Sequence, residues 1–389
     1  MSAKGREERR VLVLGAGPAG AASALFLARS GFPVLVLEAR TGPKSKVCGE
    51  GLMPAGVRVL EDLGIAGRVR AMGAIAFRGI RYMTAGGASA AGEFPTFQSG
   101  VHGLAMPRLT LDAALREALA SEPGVQVLEG WVAGPPEIED GRVTGVTARE
   151  RGSGRTRRIT AALTIAADGL HSRLHALPGV NATRPARRRF GISVHLEGVA
   201  NVRDLVEVHL IENGELYLTP QGEGRASLAL LAEEVLLAGD PAPDAVLSRA
   251  LERAPELARR CAGARRTDAS RVYGPLGLTV ERACGPGWLL AGDAAGALDP
   301  ITGEGVALAL VAARELGRRA RMHGAPDAAA CRASLAIRRR MERDLQVLTH
   351  ALLYLSRSPR LKEGAVRLAG AFPGLFSRVL GIAAAGHVL

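Results

Sequence analysis

The sequence contains few cysteines, few aromatic residues and no long apolar run. Its four cysteines, Cys48, Cys261, Cys284 and Cys331, form no CxxC pair and show no metal-ligand spacing. This distribution argues against a disulfide framework or a structural zinc site, predicts no metal ligands and favours a reducing compartment such as the cytoplasm. No stretch approaches the roughly 18 uninterrupted apolar residues that a membrane-spanning helix requires.

Positive charge, by contrast, is abundant. The formal net charge is +12, while aromatic residues make up only 4% of the 389 residues. The basic clusters Arg187–Arg189 and Arg338–Arg340 are dispersed and lack interleaved aromatic residues, so they predict solvated faces rather than a nucleic-acid surface. We expect no nucleic-acid partner, whereas an acidic carrier protein or a peripheral contact with an anionic membrane stays open.

The segment Val11–Gly31 has two competing interpretations. After Arg9 and Arg10, its apolar middle resembles a secretory signal. Alternatively, Val11–Leu14 is a buried strand, followed by Gly15-Ala16-Gly17-Pro18-Ala19-Gly20 and a helix over Ala21–Ser30. In a GxGxxG turn the first glycine permits the tight turn, the second admits a pyrophosphate and the third allows close packing of helix on strand.

The residues that follow favour the nucleotide-binding interpretation. A second apolar run, Pro33–Leu37, ends at Glu38, about twenty residues beyond the glycines, where the dinucleotide fold places an acid on ribose hydroxyls. Strand, glycine turn, helix, second strand and terminal acid together form a much more specific pattern than the glycines alone. A signal cleavage near Ala21–Ser23 would destroy it.

Turn residues divide the rest of the chain. Asp140-Gly141 predicts a small antiparallel meander, and Glu212-Asn213-Gly214-Glu215 predicts a hairpin within a second meander over Gly191–Leu231. Trp288–Ala291 predicts another buried strand, and Val306 to Arg321 predicts a helix. The C-terminal pattern is helical, with breaks expected at Pro359 and Pro373.

Three further motifs carry a resemblance to a known family. Ala167–Arg173 resembles the DG motif of flavoprotein hydroxylases, Ala291–Gly296 resembles their GD motif, and Asp299–Val306 resembles the loop and helix start that face the flavin ring. In this order, over most of residues 8–320, they resemble the p-hydroxybenzoate hydroxylase and geranylgeranyl reductase superfamily of FAD enzymes. Cys48–Leu52 is similar to a cysteine–glycine stretch of the reductase branch, and Arg108 matches an arginine that opens a cofactor-contacting helix in both branches.

The resemblance implies FAD as cofactor, NADPH or NADH as reductant, and a set of binding residues. A helix start at Gly303–Gly305 would offer backbone N–H groups to the negative charge of reduced flavin. The implied cofactor-binding residues are Gly15, Ala16, Gly17, Pro18, Ala19, Gly20, Glu38, Ala39, Arg40, Cys48, Gly49, Arg108, Val132, Asp168, Gly169, Gly292, Asp293, Pro300, Gly303, Glu304, Gly305 and Val306.

The expected fold is α/β: a Rossmann-like FAD-binding domain, an antiparallel β-sheet substrate domain and C-terminal helices. We expect the FAD-binding domain to be discontinuous, over residues 1–80, 101–185 and 275–325. The substrate-side sheet would take residues 81–100 and 186–274, and the helical segment residues 326–389.

Two reactions on a small-molecule substrate fit this resemblance. One is hydroxylation of an aromatic or polyketide-like compound, and the other is saturation of double bonds in a prenyl chain. Glu215–Pro220 departs from the pattern of the prenyl reductases, so an NAD(P)H-dependent monooxygenase is the preferred expectation. Cys48–Gly51 favours reduction, which makes saturation of a prenyl chain the alternative. A third hypothesis is a catalytically silent flavin carrier.

Candidate polar groups for catalysis are few, because the flavin carries the redox chemistry. Cys48, His195 and Tyr217 are candidates, with His209 beside them, although a strand histidine is more often satisfied by a neighbour and a free cysteine is more often a buried thiol. The C-terminal segment Leu361–Leu389 would cap the cavity, pack as core helix or touch a membrane.

Overall fold

The computed structural model describes residues 10–42, 46–95, 100, 102–239, 241–299, 301, 303–355 and 358–383, with only the backbone described at 346–355, 359, 382 and 383. The helices are α1 Pro18–Arg29, α2 Pro54–Asp62, α3 Ala66–Ala71, α4 Arg108–Ser121, α5 Pro243–Glu252, α6 Pro255–Cys261, α7 Gly305–His323, α8 Ala328–Leu355, α9 Pro359–Ala371 and α10 Pro373–Ala383. The strands are β1 Val11–Leu14, β2 Val34–Glu38, β3 Gly51–Leu52, β4 Ile75–Phe77, β5 Gly79–Thr84, β6 Ser89–Glu93, β7 Gly103–Ala105, β8 Val125–Glu129, β9 Trp131–Glu139, β10 Arg142–Glu150, β11 Thr156–Thr160, β12 Leu163–Ala166, β13 Ala182–Thr183, β14 Arg189–Glu197, β15 Leu205–Ile211, β16 Gly214–Pro220, β17 Arg225–Glu233, β18 Arg265–Arg266, β19 Arg271–Leu276, β20 Thr279–Val280, β21 Cys284–Gly285 and β22 Trp288–Leu290.

A largely parallel sheet holds the sequence motifs at one edge. Its order is β21-β22-β12-β1-β2-β8, and only β21 runs antiparallel to its neighbour. All four residues of β1 are at most 1% exposed, as expected for a strand covered on both faces. Because the carboxyl ends of parallel strands meet at one edge, the glycine turn, Glu38, Asp168 and Gly292 converge there.

Helix α1 covers this sheet, α7 packs on α1, and α8 packs on α7. The helix predicted over Ala21–Ser30 begins earlier, at Pro18, because proline is well suited to the first helical position. The helix predicted over Val306–Arg321 is confirmed as α7, which ends before Gly324 in a left-handed conformation. A Cβ on Gly317 would lie 2.5 Å from the Cβ of Phe26, so glycine lets α7 approach α1.

A second, mixed sheet of eight strands has the order β18-β14-β17-β16-β15-β5-β6, with β19 also paired to β14. Neighbouring residues across paired strands point to the same face. One face, the apolar face, carries Ile192 and Val194 of β14 and packs on α5 and α6. The opposite face, the polar face, carries Arg189 and His195 of the same strand.

Both predicted hairpin turns occur, with one shift of register. Asp140 and Gly141 connect β9 to β10 with positive φ angles of 48° and 73°, as a two-residue type I′ turn requires. Between β15 and β16, Ile211 pairs with Gly214. The loop is therefore Glu212-Asn213, and the glycine predicted in the turn lies in the strand.

The C-terminal helices cover one end of the polar face. The predicted breaks are confirmed, since α9 and α10 begin at Pro359 and Pro373. The Phe376 ring contacts that of Tyr82 on β5 edge to face, with centroids 5.9 Å apart, and a Cβ on Gly92 would lie 2.6 Å from Leu380. The division of the chain into domains at residues 80, 100, 185, 274 and 325 stays a prediction.

Candidate functional site

The three glycines of the turn after β1 differ in what surrounds them. An added Cβ on Gly15 would lie 2.7 Å from the carbonyl oxygen of Ala167, and one on Gly20 would lie 1.9 Å from that of Gly15. These two glycines are needed for the protein's own packing. Of the residues that the structure describes, only Lys46 Nζ and Arg108 Nη2 would lie near a Cβ on Gly17, which caps α1, at 3.7 and 3.9 Å.

Gly17 thus opens onto a space bordered by two cations and the N-terminus of α1. Backbone N–H groups at a helix start, the positive end of the helix dipole and two basic side chains together favour a pyrophosphate. In the part of the chain that the structure describes, this space therefore fits the pyrophosphate of the implied cofactor.

Glu38 lies beside this turn. Its Oε2 accepts a hydrogen bond from the backbone N–H of Ala16 at 2.8 Å, and its Oε1 accepts one from that of Arg40 at 3.0 Å. Ala39 lies between the two residues in the same turn. The half-buried carboxylate is therefore placed where a ribose hydroxyl would reach it from the glycine turn.

The DG and GD motifs follow the neighbouring strands β12 and β22. Asp168 Oδ2 accepts from the backbone N–H of Arg173 at 3.1 Å, and Gly169 has a φ of +86°. Gly292 and Asp293 open a short 3-10 turn, and a Cβ on Gly292 would lie 2.7 Å from that of Ala19 on α1. Asp293 is exposed and available to a hydroxyl-rich ligand.

Arg338, on helix α8, holds the GD turn at Gly292–Gly296 in place. The expectation that Arg338–Arg340 forms a solvated face is wrong at this residue, because Arg338 is only 5% exposed. Its guanidinium donates to the carbonyl oxygens of Gly292 and Gly296 and pairs with Glu342 at 2.7 Å. A charged side chain buried in helix α8 thus ties two carbonyl groups of this turn to that helix.

Cys48, Gly49 and Arg108 lie near the same space. Arg108 opens α4, donates from Nε to Asp112 Oδ1 at 2.8 Å and donates from its backbone N–H to Glu50 Oε1 at 2.8 Å. The Sγ of Cys48 accepts from the backbone N–H of Glu50 at 3.4 Å, and burial raises the pKa of this thiol. A thiol with a raised pKa is a poor nucleophile at neutral pH, so the environment suits a structural cysteine.

The segment before α7 contains a buried acid. Gly303, with a φ of +70°, and Gly305 are exposed, whereas Glu304 between them is 2% exposed. Neither carboxyl oxygen of Glu304 has a hydrogen-bond partner among the described residues, and burial raises its pKa well above the ordinary range. Val306 lies in the first turn of α7, and the predicted residue Pro300 lies outside the described residues.

A buried ion cluster ties the polar face to this segment. Arg189, predicted as part of a solvated cluster, is instead 2% exposed, which corrects that expectation. Its guanidinium pairs with Glu215 and, at 2.6 Å, with Asp299 Oδ1. Tyr217 OH donates to the carbonyl oxygen of Ile301 at 3.0 Å. Burial raises the pKa of Glu215 to about 7, although Arg189 opposes the shift.

A second chain of ionic contacts ties the polar face to Glu50. His195 Nε2 lies 2.8 Å from Glu50 Oε2, and its Nδ1 lies 2.9 Å from Asp268 Oδ2. Hydrogen bonding to Glu50, supported by Asp268, raises the pKa of His195 to about 9, so the imidazole is protonated at neutral pH. Gln221 also donates to Glu50, and Thr219 Oγ1 donates to the carbonyl oxygen of Gly49 at 2.6 Å.

The remaining candidates lie elsewhere. His209 was predicted with His195 and Tyr217, but it lies on the apolar face, 4% exposed, with Nε2 3.2 Å from Glu207 Oε2. Arg260 of α6 also pairs with Glu207, at 2.5 Å. The prediction for His209 is wrong, because adjacent strands place it on the far side of the sheet. Val132 lies half-buried on β9, opposite Arg149.

The contacts that sequence reasoning missed are Arg189–Asp299, Glu50–His195 and Arg338–Gly292. The two residues of each contact are 110, 145 and 46 residues apart in the chain, respectively. One signal was present: Glu50 lies between two glycines in the motif that resembles the reductase branch. The structure places it at a φ of +58°, where a non-glycine residue is uncommon, with its carboxylate held by three donors.

The family comparison agrees with this geometry. The FAD binding domain family matches residues 8–323. The chain belongs to this FAD-binding family. The glycine cradle at Gly17, the acid at Glu38 and the exposed Gly303 and Gly305 are consistent with the cofactor that defines it.

Similar proteins include reductases and a monooxygenase. Menaquinone reductase of Mycolicibacterium smegmatis is 30% identical over 76% of this chain and 72% of its own length. Digeranylgeranylglycerophospholipid reductase 2 of Methanopyrus kandleri is 31% identical over 79% of this chain and 75% of its own. The structure of a probable FAD-dependent monooxygenase from Pseudomonas aeruginosa superposes with a TM-score of 0.75, at 21% identity, over 92% of this chain and 99% of the other. At that identity the likeness shows the shared fold alone.

Proposed function

We propose that this protein is a flavin-dependent reductase that saturates a carbon–carbon double bond in the isoprenoid chain of a lipid. The similarity to two reductases over about three quarters of the chain carries the proposal. Menaquinone and the digeranylgeranyl phospholipid both contain isoprenoid chains, so the shared feature of their substrates is an unsaturated apolar tail.

Saturating a double bond adds one hydride and one proton, and reduced FAD, when bound, supplies the hydride. NADPH or NADH is the proposed reductant of the flavin. The protein's part is to hold the cofactor and to supply charge at fixed points. The α1 start with Lys46 and Arg108 would bind the pyrophosphate, Glu38 and Asp293 the sugar-like hydroxyls, and the α7 start the pyrimidine side of the ring.

Protons are available beside the Cys48–Gly51 segment. The protonated His195 donates to Glu50 from Nε2 and to Asp268 from Nδ1, so the extra proton is held between two carboxylates at neutral pH. Glu304 retains its own proton because burial raises its pKa. Two groups that hold a proton at neutral pH, His195 and Glu304, support a reaction that consumes a proton.

Hydroxylation is the second candidate. Tyr217 stands where the prenyl reductase pattern differs, and its hydroxyl lies beside the segment that leads into α7. A phenolic group there would suit an oxygenated aromatic substrate, which supports a monooxygenase. The two reactions differ in their product, since a hydroxylase adds one oxygen atom and a reductase adds two hydrogen atoms.

The test is incubation of FAD-loaded protein with NADPH or NADH and either isoprenoid lipids or lipophilic phenols, under nitrogen and in air, with product masses recorded. We expect the lipid to gain the mass of two hydrogens under nitrogen. A product that appears only in air and has gained one oxygen atom would overturn the reductase proposal in favour of hydroxylation.

A matched pair of glycine variants shows whether the reaction needs the cofactor cradle. Gly17→Ala and Gly152→Ala both have room for the added methyl group in the structure. Gly17→Ala should therefore fold, yet lose at least about tenfold in FAD affinity because the methyl group occupies the approach of the pyrophosphate. Gly152→Ala, in a distant turn, should retain both FAD and activity.

A further inference from the structure

Exposed apolar side chains concentrate on one side of the C-terminal helices. Of the exposed large hydrophobic residues in the described part of the chain, four lie within fifteen residues of one another: Leu361 at 46%, Leu368 at 62%, Phe372 at 57% and Leu375 at 62% exposure. The others, such as Ile138 and Met322, are single residues apart from the adjacent pair Val272 and Tyr273. Single exposed hydrophobics are normal on a soluble surface, whereas a cluster marks a contact surface.

These four residues form one surface, named here the outer face of α9 and α10. Leu361 and Leu368 are seven residues apart and lie on the same side of α9. Phe372 joins the two helices, and Leu375 lies in the first turn of α10. The four residues therefore follow one another along α9, the junction and the start of α10.

The opposite sides of the same helices are fixed to the eight-stranded sheet. Val366 and Leu380 are 5% and 2% exposed. A Cβ on Gly370 would lie 2.5 Å from the carbonyl oxygen of Ser89 on β6, so α9 lies directly against the strand. The outer face is therefore held in place by well-packed helices.

The charged residues around the outer face indicate which kind of partner it contacts. Residues 358–383 contain Arg360, Lys362, Arg367 and Arg378 but only one acid, Glu363. Lys362 is buried and donates to the carbonyl oxygen of Ile211, so the exposed positive charge comes from the three arginines. One of them, Arg367, pairs with Glu363 at 3.0 Å, which leaves Arg360 and Arg378 to supply the excess of positive charge. Apolar side chains flanked by exposed arginines match the boundary between headgroups and acyl chains of an anionic bilayer.

We propose that the outer face of α9 and α10 docks the protein on the surface of a membrane that contains anionic lipids. A second copy of this chain would bring the same positive charge to the same face, which disfavours self-association there. In the described residues, no helix is both long and apolar enough to span a bilayer, so the contact is a surface one. Because the two helices cover one end of the polar face, docking would place that end next to the lipid phase.

The test is co-sedimentation of the full-length protein with vesicles of phosphatidylcholine alone or of equimolar phosphatidylcholine and phosphatidylglycerol. We expect binding to the anionic vesicles, weakened by salt, because screening reduces the arginine contribution. The triple variant Leu368→Ser, Phe372→Ser, Leu375→Ser should lose at least about tenfold in vesicle affinity, since three apolar contacts are removed.

A matched control is the double variant Ile138→Ser, Met322→Ser, which removes exposed apolar side chains outside the outer face. It should bind vesicles as the unaltered protein does. Thermal unfolding midpoints would verify that both variants fold.

Three results would overturn the proposal: no binding of the unaltered protein to anionic vesicles, equal binding of the triple variant, or equal loss in the control. A dimer of the unaltered protein that the triple variant abolishes, without vesicle binding, would assign the face to self-association instead. None of these outcomes depends on which reaction the flavin performs.

Discussion

Val194 and His195 are adjacent on β14, yet their side chains meet opposite environments. Val194 is 2% exposed in an apolar layer with α5 and α6. His195 lies on the polar face, between the carboxylates of Glu50 and Asp268. The apolar face is stabilised mainly by non-directional burial, with one buried ion pair between Glu207 and Arg260. The polar face has several ion pairs, which join segments far apart in the chain.

The two faces of this sheet differ in the kind of interaction that stabilises them. An apolar layer tolerates small shifts of its side chains, because burial does not depend on a single direction. The polar face requires each partner in place, because a buried charge left unpaired is strongly unfavourable. The contacts that fix Glu50, Gly49, Asp299 and Ile301 all start from this face.

The largest effect should come from breaking the buried ion cluster. Arg189→Met leaves Glu215, at 2% exposure, without its cation, and should lower the free energy of unfolding by about 3–5 kcal/mol. Denaturant titration measures the loss. Arg188→Met is the control, because that side chain is 60% exposed and its pair with Glu234 should contribute little.

A double variant sharpens this prediction. Replacing Glu215 with leucine in the Arg189→Met background removes the uncompensated acid and should recover part of the stability. If the double variant is less stable than Arg189→Met, the effect arises from lost packing rather than from an unpaired charge.

The next effect concerns the apolar face. Leu230→Ala removes a side chain that is 1% exposed there, and should lower the free energy of unfolding by about 3 kcal/mol through lost burial and a cavity. FAD affinity, measured by flavin fluorescence, should stay unchanged. A large loss of affinity would show that the two faces are not independent.

The third-largest effect is the loss of stability on replacing His195, and it depends on pH. The pKa of His195 is raised from 6.5 to about 9, so the folded state keeps a proton that the unfolded state loses in this interval. Its contribution is complete below the unfolded pKa and disappears as pH rises through the folded pKa. His195→Asn should therefore be less stable than the unaltered protein by about 2 kcal/mol near neutral or lower pH, and by much less above about pH 9.

Unfolding titrations across this pH range measure the difference. His323→Asn is the control, since His323 forms only an exposed pair with Asp327 one helical turn away. A difference for His195→Asn that stays constant with pH would mean that the imidazole is not protonated in the folded protein.

The smallest effect should be a gain in stability on replacing Glu304. Burial raises the pKa of Glu304, so the folded state keeps a proton that the unfolded state loses above its ordinary pKa, and stability falls as pH rises. Glu304→Gln does not titrate, so without cofactor it should be more stable than the unaltered protein near about pH 8, and this gain should shrink towards about pH 5. Thermal unfolding at about pH 5 and about pH 8 checks this, and a gain at the lower pH alone would contradict it.

The elements around the glycine turn were predictable because their causes are local. Gly15, Gly20 and Pro18 set the turn and the start of α1 by sterics within a few residues. The same holds for the hairpin at Asn213, except that pairing of Ile211 with Gly214 decided which residues form the loop. Short-range backbone preferences fix the type of turn, and strand pairing fixes its register.

The buried arginines show what local sequence patterns do not predict. Arg187, Arg188 and Arg189 look alike in sequence, but only Arg189 lies on the polar face opposite Glu215 and Asp299. His195 and His209 likewise look equivalent as strand histidines. Which of them reaches Glu50 depends on the pairing of β14 to β17 and β15 to β16, which no local pattern determines.

Local sequence patterns were sufficient to predict the glycine turn after β1, the position of Glu38 at the end of β2, the glycine-rich start of α7 and the helical character of the C-terminus. Which charges are buried, which face each histidine occupies and which side of α9 and α10 stays exposed became known from the folded structure. The two sets differ in the distance over which their causes act along the chain. Backbone sterics act between near neighbours in sequence, whereas ion pairing and burial depend on residues that only folding brings together.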